Sequence, residues 1–126
     1  RRCWRRAAML RPERSIARVY LHRGPVNMRK QMDGLALLAK EVLGQDPFSG
    51  ALFVYTNRRR TKLKILTWER NGFVVWYKRL ERHRFHWPRS GEALVTLTGE
   101  QLAWLLEGYD VWRMRGPEAL HFSVLS

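Results

Sequence analysis

Cations interleaved with aromatic residues give residues 58–89 the most evident chemistry in this chain. Within this segment, eleven Lys or Arg are opposed by only two acids, Glu69 and Glu81. Like charges at this density repel one another, and a polyanion such as nucleic acid relieves that repulsion. The segment therefore predicts contact with a phosphate backbone.

Twelve cations are the candidate nucleic-acid contacts. Arg58, Arg59 and Arg60 follow one another in a predicted turn, and a turn exposed to water does not need three guanidinium groups. The segment after Gly24-Pro25 supplies two further cations. The full set is Arg29, Lys30, Arg58, Arg59, Arg60, Lys62, Lys64, Arg70, Lys78, Arg79, Arg82 and Arg84.

Three aromatic residues among these cations allow two roles. Trp76, Tyr77 and Trp87 can pack in a core, and we expect this of at least two of them. A ring left exposed would instead favour stacking on the bases of a single strand.

The potential ligands and nucleophiles do not predict catalysis. His83 and His86 lie close together but have no Cys or carboxylate partner near them, so we interpret them as surface or phosphate-facing residues. Asp33 and Asp46 are the best candidates for a two-metal site, but Asp46 precedes a proline and is better explained as a turn cap. The chain contains neither of the glycine-rich sequence patterns that bind nucleotide phosphates, GxxxxGK[ST] and GxGxxG. We predict a protein that is not an enzyme and has no metal or cofactor.

The composition is that of a folded, strongly basic domain. The chain has 126 residues, a net charge of +13 and 45% apolar residues, and this apolar content argues against disorder. The length fits one domain at residues 15–126, after a flexible basic leader at residues 1–14.

The single Cys3 excludes an internal disulfide and fits a reducing cytoplasm. No run reaches the roughly 18 apolar residues of a membrane span, so we expect a cytoplasmic, nucleoid-associated protein.

Charge is segregated along the chain. Residues 1–30 and 58–89 are basic, whereas residues 31–57 and 90–126 are mildly acidic. Solubility alone would not require this pattern. It suits a protein with one face for nucleic acid and another for protein partners.

Hydrophobic patterns predict the elements that position these residues. Alternation indicates strands at 16–22, 51–56, 61–68, 73–80 and, shorter, 93–97. A long helix is predicted at 28–43, with Asn27 as its N-cap and an apolar stripe formed by Met28, Met32, Leu35, Ala39 and Val42. A short helix follows Thr98, capped through Gln101 and ended by Gly108.

The turn signals arrange the strands into a sheet. Asn71-Gly72 predicts a type I′ hairpin, which would pair Trp68 with Val75. The elements together predict a single α+β domain with a mostly antiparallel sheet of four to five strands. We expect the long helix on one face of the sheet and the opposite face partly solvated.

Several separated motifs resemble a known family. They include Gly24-Pro25, the run from Asp46 to Gly50 (DPFSG), Asn57-Arg58-Arg59, Asn71-Gly72-Phe73 and the run from Tyr77 to Glu81 (YKRLE). Over residues 19–108 the chain resembles the small accessory protein, usually called TnpB, of the insertion-sequence family numbered sixty-six. One departure is Val26-Asn27, where the family commonly has Thr-Asp.

The resemblance implies a bacterial mobile-element protein encoded beside a separate transposase, which performs strand cleavage and joining. With the charge pattern, it predicts a non-catalytic accessory protein for transposition that binds duplex DNA at the element ends. The alternative is a protein-interaction subunit that docks the separate transposase, or another accessory protein, without touching DNA. A further expectation is a contact with the transposase or a second copy at Trp104 and Trp112, which would leave the basic sheet free for DNA, unless both rings fold into the core.

Overall fold

A computed structural model describes residues 18–113, so the predicted leader at 1–14 and the tail beyond Arg113 lie outside the described residues. Five strands and two helices follow one another along this part of the chain. In order they are β1 Val19–His22, α1 Met32–Glu41, β2 Leu52–Thr56, β3 Lys62–Glu69, β4 Gly72–Arg79, β5 Leu94–Leu97 and α2 Gly99–Glu107. Each predicted strand in this region is confirmed within about three residues.

The strands form one sheet in the order β4-β3-β2-β1-β5. Strands β1 and β2 are parallel neighbours, and α1 lies in the connection between them. The other three pairings are antiparallel. The predicted α+β fold with a mostly antiparallel sheet is therefore confirmed.

Helix α1 covers one face of the sheet. Its buried residues Leu35 and Ala39 pack with Tyr20, Phe53 and Tyr55 from the central strands. The Tyr55 hydroxyl donates a 2.7 Å hydrogen bond to the Leu35 carbonyl. Burial raises the pKa of Tyr55, because the low-dielectric surroundings disfavour its charged form.

Helix α2 and the segment after β4 cover the other face. Leu102, Leu105 and Leu106 pack there against the strands, as predicted for the short helix. Phe85 and Trp87 insert into the same core. The predicted solvation of this face is therefore limited, although Val74, on the edge strand, remains 44% exposed.

The ends of α2 follow the sequence prediction. Thr98 Oγ1 accepts from the Gln101 amide, and Gln101 Oε1 accepts from the Thr98 amide, which completes a capping box. Gly108 ends the helix with a left-handed φ of 100°. Trp104 and Trp112 are partly buried and both pack against the adjacent core.

The first helix is shorter than predicted. It begins at Met32 with Gln31 at the N-cap, rather than with Asn27. Asn27 instead accepts the Arg29 amide through Oδ1 at 2.8 Å, which forms a local turn. The Met28 and Lys30 carbonyls are bound by the Lys64 ammonium. These contacts hold the segment before α1 in a non-helical conformation.

The shorter helix also changes the predicted apolar stripe. Leu35 and Ala39 are buried as expected, but Met32 is 41% exposed and Val42 is 45% exposed. Val42 is already the C-cap. Met28, which lies before the helix, is partly buried and packs against the same core.

The β3–β4 hairpin has a register that differs from the prediction. Trp68 pairs with Phe73 rather than with Val75. Arg70 and Asn71 form the turn, Arg70 has the left-handed φ of 56°, and β4 begins immediately after them. An edge-to-face contact between the Trp68 and Phe73 rings, 5.0 Å apart, favours this pairing. Because the shift is an even number of residues, every side chain keeps its predicted face.

Neither described helix has the length and hydrophobicity that a membrane span requires.

Candidate nucleic-acid interface

The turn between β2 and β3 presents the arginine triplet. Asn57 Oδ1 accepts the backbone amides of Thr61 and Lys62 at 2.9 and 3.0 Å, and Asn57 Nδ2 donates to Thr61 Oγ1. One side chain therefore closes the turn from within. Arg58 and Arg59 project into solvent at its tip.

Replacing Asn57 by Ala is expected to lower the free energy of unfolding by about 1–2 kcal/mol, because two backbone N–H groups lose their partner. Asn57→Asp is expected to recover most of this loss, since its carboxylate accepts from the same two amides. Thermal or urea unfolding of both variants tests this difference. Equal destabilisation by Ala and Asp would contradict the assigned role of Oδ1.

A groove of about 980 Å³ lies beside this turn on the α1 face of the sheet. One wall is the 25–29 segment, and the floor includes Val75 and Tyr77 of β4. Its five cations are Arg29, Arg58, Arg59, Lys62 and Lys64, and none of its described lining residues is acidic. We call it the Tyr77 groove.

A second groove, of about 880 Å³, lies on the α2 face. It is bounded by the 80–89 segment and by residues that follow α2. Its cations are Arg60, Arg82, Arg84, Arg89 and Arg113, which are opposed by Glu107 and Asp110. We call it the Arg84 groove.

A smaller depression at the end of the sheet joins the two grooves. It shares Arg58 with the Tyr77 groove and Arg60 and Arg89 with the Arg84 groove, and it adds Arg23. Arg23 and Arg29 come from the first basic segment of the sequence, so the two basic segments meet here. We call the cations of all three depressions together the basic belt: Arg23, Arg29, Arg58, Arg59, Arg60, Lys62, Lys64, Arg82, Arg84, Arg89 and Arg113.

The belt brings together eight of the twelve predicted cations. Lys30 is exposed next to the belt residue Arg29. Arg70 lies in the β3–β4 turn, at the far end of the hairpin from the β2–β3 turn. Arg79 is exposed and forms a 3.0 Å ion pair with Glu81.

Two of the predicted lysines make specific contacts with backbone carbonyls. Lys64 Nζ donates to the carbonyls of Met28 and Lys30 at 2.8 and 2.9 Å. Lys78 Nζ donates to the Leu106 carbonyl at 2.7 Å, in the last turn of α2, where a cation also favours the helix dipole. Both lysines therefore stabilise the fold in addition to any contact with a ligand.

Sequence reasoning did not select three belt residues, Arg23, Arg89 and Arg113. Arg23 donates through Nε to the Glu92 carbonyl at 3.0 Å and directly follows β1, an interior strand of the sheet. Its position depends on the parallel pairing of β1 with β2, which places the two strand ends together. In the sequence, Arg23 can be recognised only as a cation directly after a predicted strand. The residues that surround Arg23 in space follow only from the topology of the sheet.

The three aromatic candidates divide as predicted, with at least two in the core. Trp87 is buried and donates from Nε1 to the Arg23 carbonyl at 3.0 Å. Trp76 packs against the core beneath α2. Tyr77 is 49% exposed and lines the groove named after it.

The carboxylates and histidines of the described residues do not converge. Among residues 18–113, no group of three His, Cys, Asp or Glu could hold a metal ion. Asp46 accepts the Phe48 amide at 2.9 Å, as predicted for a turn cap. His86 does have a carboxylate neighbour, contrary to expectation: Asp110 Oδ2 lies 3.7 Å from its Nδ1. Folding brings this partner from a distant part of the chain.

Comparison with known proteins identifies relatives of similar length. A family model described as IS66 Orf2 like protein matches residues 17–116. The uncharacterized protein y4hO of Sinorhizobium fredii is 36% identical over 102 residues, which cover 81% of this chain and 88% of that protein. The uncharacterized protein y4jC of the same organism is 29% identical over 107 residues, 85% of this chain and 91% of that protein. No solved structure matches the chain.

Proposed function

The chain belongs to the IS66 Orf2-like family, and from this membership we propose that it is a non-catalytic accessory protein of transposition that binds duplex DNA through its basic belt. Family membership supports a role in transposition beside a separate transposase. The element ends are the proposed place of action, because strand cleavage and joining occur there.

The observation that carries the DNA-binding proposal is the convergence of cations from distant segments. The belt contains eleven Lys or Arg, and among the described residues only Glu107 and Asp110 oppose them in the same depressions. Folding brings these cations together, whereas a role in solubility alone would favour cations spread over the whole surface. The belt also runs from one face of the sheet to the other, a shape that suits contact with successive phosphates rather than with one small anion.

Removing two arginines at the turn tests this proposal. Arg58→Gln with Arg59→Gln is expected to reduce the slope of log affinity against log salt by up to about 1.8, because each lost phosphate contact contributes about 0.9. Sequence-independent contacts predict the same reduction on unrelated duplexes. Titration of a fluorescent duplex at several salt concentrations measures this slope.

A matched control removes the same charge elsewhere. Lys40 is an exposed residue of α1, and Arg18 is exposed just before β1; neither lines the belt or is among the twelve predicted contacts. Lys40→Gln with Arg18→Gln is expected to leave the slope nearly unchanged. Equal reductions in the two double variants would show that net charge, not the belt, determines binding. An intact protein that binds no duplex would refute the proposal.

One surface feature favours the alternative function, docking of a protein partner. The rings of Phe48, Trp68 and Phe73 form a cluster with centroids 5.0 to 5.3 Å apart, and Phe48 is 55% exposed. Exposed aromatic clusters are typical of protein contacts. Trp68 lies four residues along β3 from the belt residue Lys64, a distance of about 13 Å. A transposase could therefore occupy this cluster while DNA occupies the belt.

Replacing Phe48 by Ser separates the two functions. If the cluster docks the transposase, this variant should lose co-purification with the cognate transposase and retain duplex affinity. Retained co-purification would show that the transposase does not depend on this cluster, and the alternative would lose its structural support.

A further inference from the structure

Tyr77 is the exposed ring in a groove whose other polar groups are largely cationic. It lies on the edge strand β4, directly across from Lys64 of β3. Lys64 Nζ is 6.0 Å from the centre of the ring and is fixed by the two carbonyls before α1. The ring is 49% exposed. A large aromatic surface is therefore accessible from the groove, beside a lysine whose ammonium group is fixed.

The surroundings of the ring match the chemistry of an unpaired nucleotide. Val26, Met28 and Val75 supply apolar lining, and the cations of the arginine turn flank it. Such a combination offers a stacking surface for a base and guanidinium groups for its phosphates. A base within duplex DNA is already stacked on both faces, so an intact duplex offers the ring no base face except at its two ends.

We propose that the Tyr77 groove binds single-stranded DNA, with one base stacked on the Tyr77 ring and the adjacent phosphates bound by Arg58 and Arg59. This inference rests on the proposed function, because it uses part of the same basic belt. It extends that function by giving one groove a distinct substrate, the unpaired DNA that strand cleavage and exchange expose. The Arg84 groove and the depression at the end of the sheet then supply contacts that require only a phosphate backbone.

The test compares binding of a short oligodeoxythymidine and of a blunt duplex by three variants. Tyr77→Leu is expected to weaken binding of the single strand about tenfold, which is within the range for loss of one stacked base. Its duplex affinity should change by less than about twofold, because no base contact is lost. Tyr77→Phe retains the ring and should bind the single strand as the unmodified protein does.

Tyr109→Leu is the matched control. Tyr109 is 60% exposed and lines neither groove, so its replacement should leave both affinities unchanged. Thermal unfolding of all three variants establishes that they are folded. An oligonucleotide with 2-aminopurine in place of one base adds a direct measurement of stacking. The unmodified protein and Tyr77→Phe should quench its fluorescence, whereas Tyr77→Leu should not.

The outcomes separate this inference from the proposed function. Unchanged single-strand affinity in Tyr77→Leu would overturn the inference while leaving duplex binding by the belt intact. Equal weakening on both DNAs would also overturn it, since the ring would then not distinguish unpaired bases. Loss of transposase co-purification with unchanged DNA binding would assign the ring to a protein contact instead. If the double variant Arg58→Gln with Arg59→Gln leaves duplex binding unchanged, the proposed binding of duplex DNA by the belt is refuted. That result is independent of the Tyr77 variants.

Discussion

Replacement of Phe85 by Ala is expected to lower the free energy of unfolding by about 3–5 kcal/mol. Phe85 is 1% exposed and packs in the core between the sheet and α2. Its amide also donates to the Arg60 carbonyl at 2.7 Å, which joins the segment after β4 to the arginine turn. Loss of the ring leaves a cavity that this irregular segment can fill only in part. Since a domain of this size is stable by about 5–15 kcal/mol, much of its stability would be lost.

Arg84→Ala is the matched control, because Arg84 is the exposed neighbour in the same segment. Its replacement should change the free energy of unfolding by less than about 0.5 kcal/mol. Urea unfolding of both variants measures the difference. Similar small effects would mean that the 80–89 segment does not pack as described, and would remove one wall of the Arg84 groove.

Replacement of Lys64 by Met is the second change with a large expected effect. The carbonyls of Met28 and Lys30 each lose the hydrogen bond that the Lys64 ammonium group donates. We expect a loss of about 2 kcal/mol in unfolding free energy, which is less than the roughly 3 kcal/mol of two fully buried charge-assisted bonds because the site is partly exposed to solvent. The wall of the Tyr77 groove should also lose its fixed position, so DNA binding should weaken by more than the loss of one charge explains.

Lys62→Met provides the comparison for Lys64, since it removes the same charge from the same face of the same strand. This variant should lose about 0.9 in the salt slope of duplex binding and retain its stability. Unfolding and DNA titration of the pair therefore distinguish a structural lysine from a purely electrostatic one. Indistinguishable unfolding curves would show that the contacts of Lys64 do not hold the segment before α1.

The cations on the strands and those in the β2–β3 turn have different expected roles. Lys64 and Lys78 bind backbone carbonyls and stabilise the wall of a groove and the end of a helix, respectively. Arg58 and Arg59 stand exposed on a turn that Asn57 closes. Mutations of the first kind change stability and binding together, whereas mutations of the second kind should change binding alone.

Features that depend on short-range patterns could be predicted from the amino-acid sequence alone. Alternation of apolar residues located the strands, and the spacing from Thr98 to Gln101 located the N-terminus of α2. The density of cations around the arginine turn was likewise visible, as was the turn-capping role of Asp46. In each case, the residues that interact are separated by only a few positions, so local chemistry is sufficient.

Features that depend on contacts between distant segments could be seen only in the folded chain. The start of α1 was set by Lys64, whose ammonium binds the preceding carbonyls from a different strand. The hairpin register followed the contact between Trp68 and Phe73 rather than the turn signal. The belt formed because parallel pairing of β1 and β2 placed Arg23 beside the arginine turn. Long-range packing selects among locally acceptable conformations. The selected conformation therefore cannot be predicted from the charge and the alternation of residues along the chain.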